Sequence, residues 1–310
     1  MNKGKSTDDE YWVSPFEQIV GVVDRNHIFA QIYEYHSRNT CRGASAWVAY
    51  HYPRTSTIVS NSDFDGARTI FTLKLGKGKL DLKPSISPAG IESAELAGDE
   101  LKLTYAGLAG GGVGIARSRA LARNVKDVKI ISPGGGSKLG RAVFTLPLMY
   151  KIHVGIDDTD TKEIGATWSL SNEIGYQASK KSGVEYLNHT IVQLYPQAPG
   201  KTKNCVATVL TFGVRPNRRD TLIEFIKKEL TTHSVSDDTG MAVWEGIKIP
   251  TRMRQFSNKC RTGIVTLKST KKLAEALNIQ LTEITGQNGL IGATAALSYA
   301  EKHLKAVKLP

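Results

Sequence analysis

The stretch Lys151-Ile152-His153-Val154-Gly155-Ile156-Asp157-Asp158-Thr159-Asp160 decides how the second half of this sequence folds. A mainly apolar run of strand length, Ile152 to Ile156, ends abruptly in three aspartates. Such a run, bounded by turn residues, reads as a buried strand, and His153 within it reads as a packed core histidine. Carboxylates clustered at its carboxyl end repel one another, so the turn is unstable unless a cation sits there. Mg²⁺ offsets that repulsion, because it takes oxygen ligands and prefers one or two carboxylates together with phosphate oxygens and water. Asp157, Asp158 and Asp160 are therefore candidate Mg²⁺ ligands, and Thr159, Thr161 and Thr167 add hydroxyls nearby. Gly165 precedes a predicted helix, so that backbone N–H groups there can face an anion such as a phosphate. The same residues also suit an Asx-turn followed by a helix N-cap, which requires no ligand.

Working outward, the sequence after the acidic turn alternates. A helix is predicted over Ala166 to Lys181, then a strand over Tyr186 to Leu194 and a loop holding two prolines and a glycine. Cys205 to Val214 is a β-branched strand and Arg219 to Leu230 an amphipathic helix. Gly263 to Leu267 reads as a strand, Lys271 to Leu277 as a short helix, and Leu290 to Val307 as one alanine-rich final helix. Alternating strands and helices make this half α/β or a split β-α-β arrangement.

The first half reads mostly as strands: Ile19 to Asp24, Thr57 to Ser60 and Thr69 to Leu75. Ile91 to Leu96 and Glu100 to Tyr105 flank a hairpin-length Ala97-Gly98-Asp99 turn, and Val125 to Ile131 and Arg141 to Leu146 follow. Between them lies Gly110-Gly111-Gly112-Val113-Gly114, leading into a basic helical stretch from Ile115 to Leu121. Gly110 and Gly112 suit either an anion-binding loop, with Arg117 and Arg119 as side-chain partners, or a merely permissive turn. No Gly-Lys-Ser/Thr follows, so this is not a P-loop, and the spacing is not that of a dinucleotide fingerprint.

Lys and Arg number 41 against 29 Asp and Glu, a net charge of +12. That excess favours polyanionic partners such as nucleic acid or nucleotides, although basic composition also serves solubility. The short basic clusters are Arg215 to Arg219 and Arg252 to Arg254. Cys41, Cys205 and Cys260 are too scattered for a disulfide framework or a structural zinc site. Cys41 lies between Arg38 and Arg42, which could lower its pKa, but a half-buried small apolar residue fits better. No apolar run has membrane-spanning length, and Met1 to Glu10 is polar with no signal-peptide core. The expectation is a frayed tail on a cytoplasmic protein that uses no membrane.

Four ordered blocks carry a resemblance. Gly155-Ile156-Asp157-Asp158-Thr159-Asp160-Thr161 resembles the opening of archaeal tRNA(Ile) agmatidine synthetase, whose kinase-like domain uses ATP to activate a wobble cytidine. Pro196 to Asn204 resembles that family's Pro-x-x-Pro-x-Lys-Thr-Arg-Gly-Asn segment, Asp238-Thr239-Gly240 its Asp-Pro-Gly, and Asn288 to Ala296 its Gly-Leu-Ile-Gly-Ala-Leu-Ala-Ala. The resemblance implies ATP and Mg²⁺ as cofactors. Asp157, Asp158 and Asp160 would hold the metal, and Lys201, Thr202 and Asn204 would line the phosphates. Asp238 would act as a base or supporting carboxylate, while Gly289 and Gly292 would permit close backbone approach. Departures are a longer acidic loop, Ala166-Thr167-Trp168 in place of Cys-Thr-Thr, and a lysine loop shortened to Lys203-Asn204.

Over nearly its full length the sequence resembles the methanogenesis marker protein 11 family, which implies a role tied to methanogenesis. The expected fold is α+β. Residues 1–148 form a β-rich domain with Gly-rich loops, and 149–310 an α/β kinase-like domain with a ferredoxin-like split β-α-β portion. Three functions are expected from these readings. The first is Mg²⁺- and ATP-dependent phosphoryl transfer to, or activation of, an RNA or protein acceptor. The second is a nucleotide-binding assembly factor that partners methyl-coenzyme M reductase maturation proteins. The third is a tRNA-binding protein with a vestigial kinase half.

Overall fold

The computed structural model describes residues 15–36 and 40–309. The tail Met1 to Glu10 and Arg38, invoked beside Cys41, lie outside them. Two compact units divide the chain, Met1–Met149 and Tyr150–Pro310.

The first unit is built on strands, most of them largely buried. Strands β1 (Phe16–Val23), β2 (Phe29–His36), β3 (Val59–Asp65) and β4 (Arg68–Lys74) pair antiparallel in the order β3-β4-β2-β1. A second antiparallel sheet has the order β5-β6-β7-β9-β8, from β5 (Gly76–Lys77), β6 (Ala89–Ala97), β7 (Glu100–Gly107), β8 (Asp127–Ser132) and β9 (Gly140–Pro147). The sheets touch at Gly21 of β1, where a Cβ would lie 2.8 Å from Leu101 and 2.9 Å from Leu146.

Two helices attach to these sheets. Helix α1 (Arg42–Thr55) was not expected from the sequence; it packs on β3 and β4 through the small or half-polar stripe Ser45, Ala49 and Tyr52, too weak a periodicity to stand out. Helix α2 (Gly111–Arg117) begins inside the glycine run, earlier than the predicted Ile115. A Cβ at Gly112 would lie 2.5 Å from the Gly140 carbonyl oxygen and 2.7 Å from Ala106 backbone, so close packing of α2 on β7 and β9 accounts for that glycine. Gly110 takes a left-handed φ of 77° at the helix start. Arg119, expected beside an anion, is instead buried in a two-pronged ion pair with fully buried Glu34, at 2.6 and 2.7 Å. Tyr105 donates its hydroxyl to the same carboxylate at 3.2 Å.

The second unit contains β10 (Tyr150–Asp157), α3 (Thr167–Ser179), β11 (Val184–Gln193), β12 (Val206–Val214), α4 (Arg219–His233) and β13 (Gly240–Glu245). It continues with α5 (Thr251–Thr262), α6 (Leu267–Leu277), β14 (Gln280–Glu283), α7 (Gly289–Ala296) and α8 (His303–Val307). Its sheet is antiparallel with the order β11-β12-β10-β13-β14. Because β12 inserts between β10 and β11, β10-α3-β11 is a split β-α-β, and α4-β13 completes a ferredoxin-like arrangement. The α+β expectation therefore holds.

Side-chain alternation gives the sheet two apolar faces. Ile152, Val154, Ile156, Leu210, Phe212, Met241 and Val243 meet α3 and α4 through Ile174, Ile223 and Ile226. Val209, Ala207, Ala242 and Trp244 meet Met253, Phe256 and Cys260 of α5 and Ala293 of α7. His153 lies on this second face, buried, between the Thr211 hydroxyl at 3.0 Å and the Gly246 carbonyl at 3.1 Å.

Three expectations fail here. Gly263 to Leu267 is not a strand: Thr266 caps α6, its hydroxyl accepting from the Ser269 N–H, so the run is a connector between α5 and α6. The strand expected at Thr57 to Ser60 lies later, at Val59–Asp65. The single final helix is broken into α7, a 3₁₀ turn at Leu297–Tyr299, and α8. The guanidinium of buried Arg261 binds the carbonyls of Lys305 and Ala306, at 3.0 and 3.2 Å, and also that of Lys308, which holds the last segment as a separate turn. Among the described residues, no helix is long and apolar enough to cross a membrane.

Candidate functional site: an acidic turn under helix α7

Strand β10 is central, and it delivers Asp157 to the edge of the core with its carboxyl group buried. Asp158 then takes a left-handed φ of 56°, a conformation that Asp tolerates better than most side chains and that reverses the chain. The turn is locked by hydroxyls. Thr167, at the start of α3, donates to Asp160 Oδ1 at 3.2 Å and accepts from the N–H and hydroxyl of Thr159 at 3.2 and 3.1 Å. One donor and two accepted bonds exhaust what a hydroxyl can do. Thr202, from the loop before β12, donates to the same Asp160 oxygen at 3.1 Å. Thr239, which the sequence reading did not assign a role, donates to the Asp158 carbonyl at 2.7 Å and ties β13 to the turn.

Helix α7 closes over this turn because glycines allow it. A Cβ at Gly155 would sit 1.9 Å from the Ala293 carbonyl oxygen, so the helix lies directly on β10. At Gly289 a Cβ would lie 2.7 Å from the carbonyl oxygens of Asp157 and Asp238, and Gly289 N–H donates to the latter at 2.9 Å. At Gly292 it would lie 1.7 Å from Asp157 Oδ2.

The electrostatics follow from burial and like charge. Desolvation first, then Asp158 and Asp160, pushes the Asp157 carboxyl well above the usual range, against a backbone hydrogen bond from Asp158. Desolvation, then Asp238 and Asp160, pushes Asp158 up to about 6. Among the described residues none of these four carboxylates has a Lys, Arg or His in an ion pair. That donor set fits a cation. It is not a preformed cage, since no three acidic, histidine or cysteine groups among the described residues converge as metal ligands. Mg²⁺ held by one or two carboxylates and a ligand's phosphates needs no such cage.

Other expected residues stand apart from the carboxylates. Lys201 donates its ammonium to the Pro196 carbonyl of its own loop. Lys203 reaches the Gly165 carbonyl at 3.3 Å, and Gly165 itself takes a φ of 86° with no room for a side chain beside Asp160. Thr161 closes the loop by accepting from the N–H groups of Glu163 and Ile164. Asn204 is exposed at the entrance to β12. Gly110 and Gly112 belong to the first unit. Burial, then Asp157 and Asp158, pushes the Cys205 thiol up to about 11, which disfavours its thiolate.

Comparison with known proteins covers the stretch that forms this turn. The family model of the TiaS TCKD domain matches residues 153–221. An uncharacterized protein of Methanocaldococcus jannaschii, MJ0921, is 45% identical over 294 residues, covering 95% of this chain and 97% of that protein. The tRNA 2-agmatinylcytidine synthetase TiaS of Pyrococcus horikoshii is 25% identical over 152 residues. That match covers 48% of this chain and 35% of the synthetase, so the chain spans about a third of that enzyme. Among solved structures, the complex of TiaS with tRNA and ATP is similar over 48% of this chain and 36% of that one, with a TM-score of 0.44 and 20% identity.

Proposed function

The chain belongs to the family of Methanocaldococcus jannaschii MJ0921, and from the acidic turn we propose that its second unit binds Mg²⁺ and ATP and uses them to phosphorylate or activate an RNA or protein acceptor. The observation that carries this reading is the group Asp157, Asp158, Asp160 and Asp238, crowded at one strand end with two members pushed up by burial and like charge. The TiaS TCKD match over residues 153–221 supports it, since the relatives of that name are tRNA 2-agmatinylcytidine synthetases.

One or two of Asp157, Asp158 and Asp160 would hold Mg²⁺ together with the phosphates, whose charge the bound ion would neutralise. The chain's own part is positioning. Thr167 and Thr202 fix Asp160, Thr239 fixes the backbone at Asp158, and Gly289 and Gly292 keep α7 close enough to exclude water from Asp157. Lys201 and Asn204 belong to the same loop as Thr202, before β12, where Lys201 would exchange the Pro196 carbonyl for a phosphate oxygen. Calorimetric titration with Mg²⁺ and ATP, then ATP turnover by Asp157→Asn and Lys201→Ala, tests the reading. Turnover unchanged in both variants would remove this site.

The position of Lys201 favours a second reading. Its ammonium is satisfied by its own loop, which suits slow hydrolysis and a nucleotide-dependent assembly factor. We read the family as methanogenesis marker protein 11, with methyl-coenzyme M reductase maturation proteins as the partners. ATP-dependent retention of those proteins by the tagged chain, with turnover slower than exchange, would distinguish this reading from the first.

A further inference from the structure

We propose that the flank of the second unit formed by α5, α6 and the segment 299–308 is a docking face for the phosphodiester backbone of a nucleic acid. It rests on the nucleotide reading only for what a docked chain is used for.

Charge is segregated along the sequence of this unit. Gly246 to Ala274 contains eight Lys or Arg and no Asp or Glu, and Lys302 to Pro310 adds three more Lys with no acid. The fold then brings the two stretches together. Arg261 of α5 is buried and its guanidinium binds carbonyls of Lys305, Ala306 and Lys308, while it stacks on Tyr299 at 4.4 Å. Tyr299 in turn donates to Asn258 of α5 at 2.7 Å. One cation is thus spent inside the unit as a clamp, and it fixes exposed Arg254 of α5 beside exposed Lys302 and Lys305. Partial desolvation, then the charges of Arg254 and Lys305, holds the Lys302 ammonium below the usual lysine range. Among the described residues none of the three has a carboxylate partner.

Three crowded cations on a rigid support, with neighbouring Glu301 taken up by Lys151 at 2.6 Å, disfavour folding by self-repulsion and gain from a polyanion that releases its counterions. The regular spacing of phosphates along a backbone meets such a row without base contacts, so binding should be independent of sequence. The supporting helices α5 and α6 pack on α7, the helix that covers Asp157. A chain bound here therefore lies on the same layer of helices as the acidic turn.

The test is fluorescence anisotropy of a labelled single-stranded oligoribonucleotide across a salt series, without nucleotide, so that its outcome is independent of Mg²⁺ and ATP association. The full chain should bind at low salt. The variant R254Q/K302Q/K305Q should bind roughly 10- to 100-fold more weakly, with a log-affinity against log-salt slope shallower by about 2. The equally charged loss K180Q/K227Q/K228Q, at the end of α3 and on α4, should change affinity less than about threefold, and R254K/K302R/K305R should bind like the unmodified chain. No RNA binding at low salt, equal weakening by both glutamine triples, or loss in the charge-keeping triple would overturn the proposal. Equal affinity for polyglutamate would also overturn it and assign the face to an acidic protein.

Discussion

The Asp157 carboxylate lies where a side chain at residue 292 would begin: a Cβ on Gly292 would sit 1.7 Å from Asp157 Oδ2. The glycine of α7 and the aspartate of β10 are one unit, in which the helix can cover the strand end only because residue 292 has no side chain. Gly292→Ala is therefore expected to push either the carboxylate or the helix away. Overpacking of this kind costs about 1–3 kcal/mol. Chemical denaturation should show that loss, and calorimetry should show Mg²⁺–ATP association lost with it. Unchanged stability and binding would mean that α7 and the turn move independently.

Asp157→Asn keeps the shape of the side chain and removes the charge. If the turn exists for a cation, the variant should be as stable as the unmodified protein or about 1 kcal/mol more so, because a buried like charge is gone. Mg²⁺-dependent ATP binding should fall below detection. If Asp157 only shapes the turn, the opposite is expected: about 1 kcal/mol of stability lost and nucleotide binding unaltered.

Metal removal should carry a pH signature through Asp158. Its carboxyl is held at about 6 in the folded chain against an ordinary 3.8, so the folded state binds the extra proton between those values. Stability from this group is present at low pH and is lost as pH rises from about 4 through 6, on the order of 3 kcal/mol. In EDTA the denaturation midpoint should fall over that window, and millimolar Mg²⁺ with ATP at pH 7 should restore it. A midpoint indifferent to both would show that no cation neutralises the cluster.

The acidic turn was legible because period and charge coincide there: the run from Ile152 to Ile156 and the aspartates after it are visible without any contact information. The split β-α-β was legible for the same reason, each strand being a β-branched run. Helix α5 was not, because its buried stripe of Met253, Phe256, Ser257 and Cys260 is broken by polar and cationic neighbours, and the clusters around Arg252 and Arg254 draw the eye to charge. The run Gly263 to Leu267 misled, since β-branching reports a preference that the Thr266 cap overrides. The service of Thr202 to Asp160, rather than to a ligand directly, depends on a 42-residue separation that no local pattern encodes.

In the first unit, Glu34 and Arg119 are 85 residues apart in sequence and joined by two bonds in the core. Removing one partner strands a charge, so Arg119→Met alone should cost about 3–5 kcal/mol. The pair replaced together, Glu34→Leu with Arg119→Met, should recover most of that loss. A double variant as unstable as the single one would place the cost in the packing of the guanidinium over Phe16 and Tyr105, whose centroids lie 4.2 and 4.9 Å from it.

His153 should make the protein acid-sensitive through a different group. Burial, then the charge of Lys151, lowers its pKa to about 3 from an ordinary 6.5. Nε2 faces the Gly246 carbonyl, which can only accept, so the neutral ring carries its proton there and Nδ1 accepts from Thr211. Below pH 6.5 the unfolded chain binds a proton that the folded one refuses. Stability from this group is therefore full above about pH 6.5 and declines by up to about 1.4 kcal/mol per pH unit as pH falls toward 3. In His153→Gln, which keeps a donor and an acceptor at similar reach, the denaturation midpoint should be lower at pH 7 but should fall less between about pH 6.5 and 5. Parallel pH profiles for the two proteins would mean that the imidazole is protonated in the fold, with Gly246 and Thr211 rearranged around it.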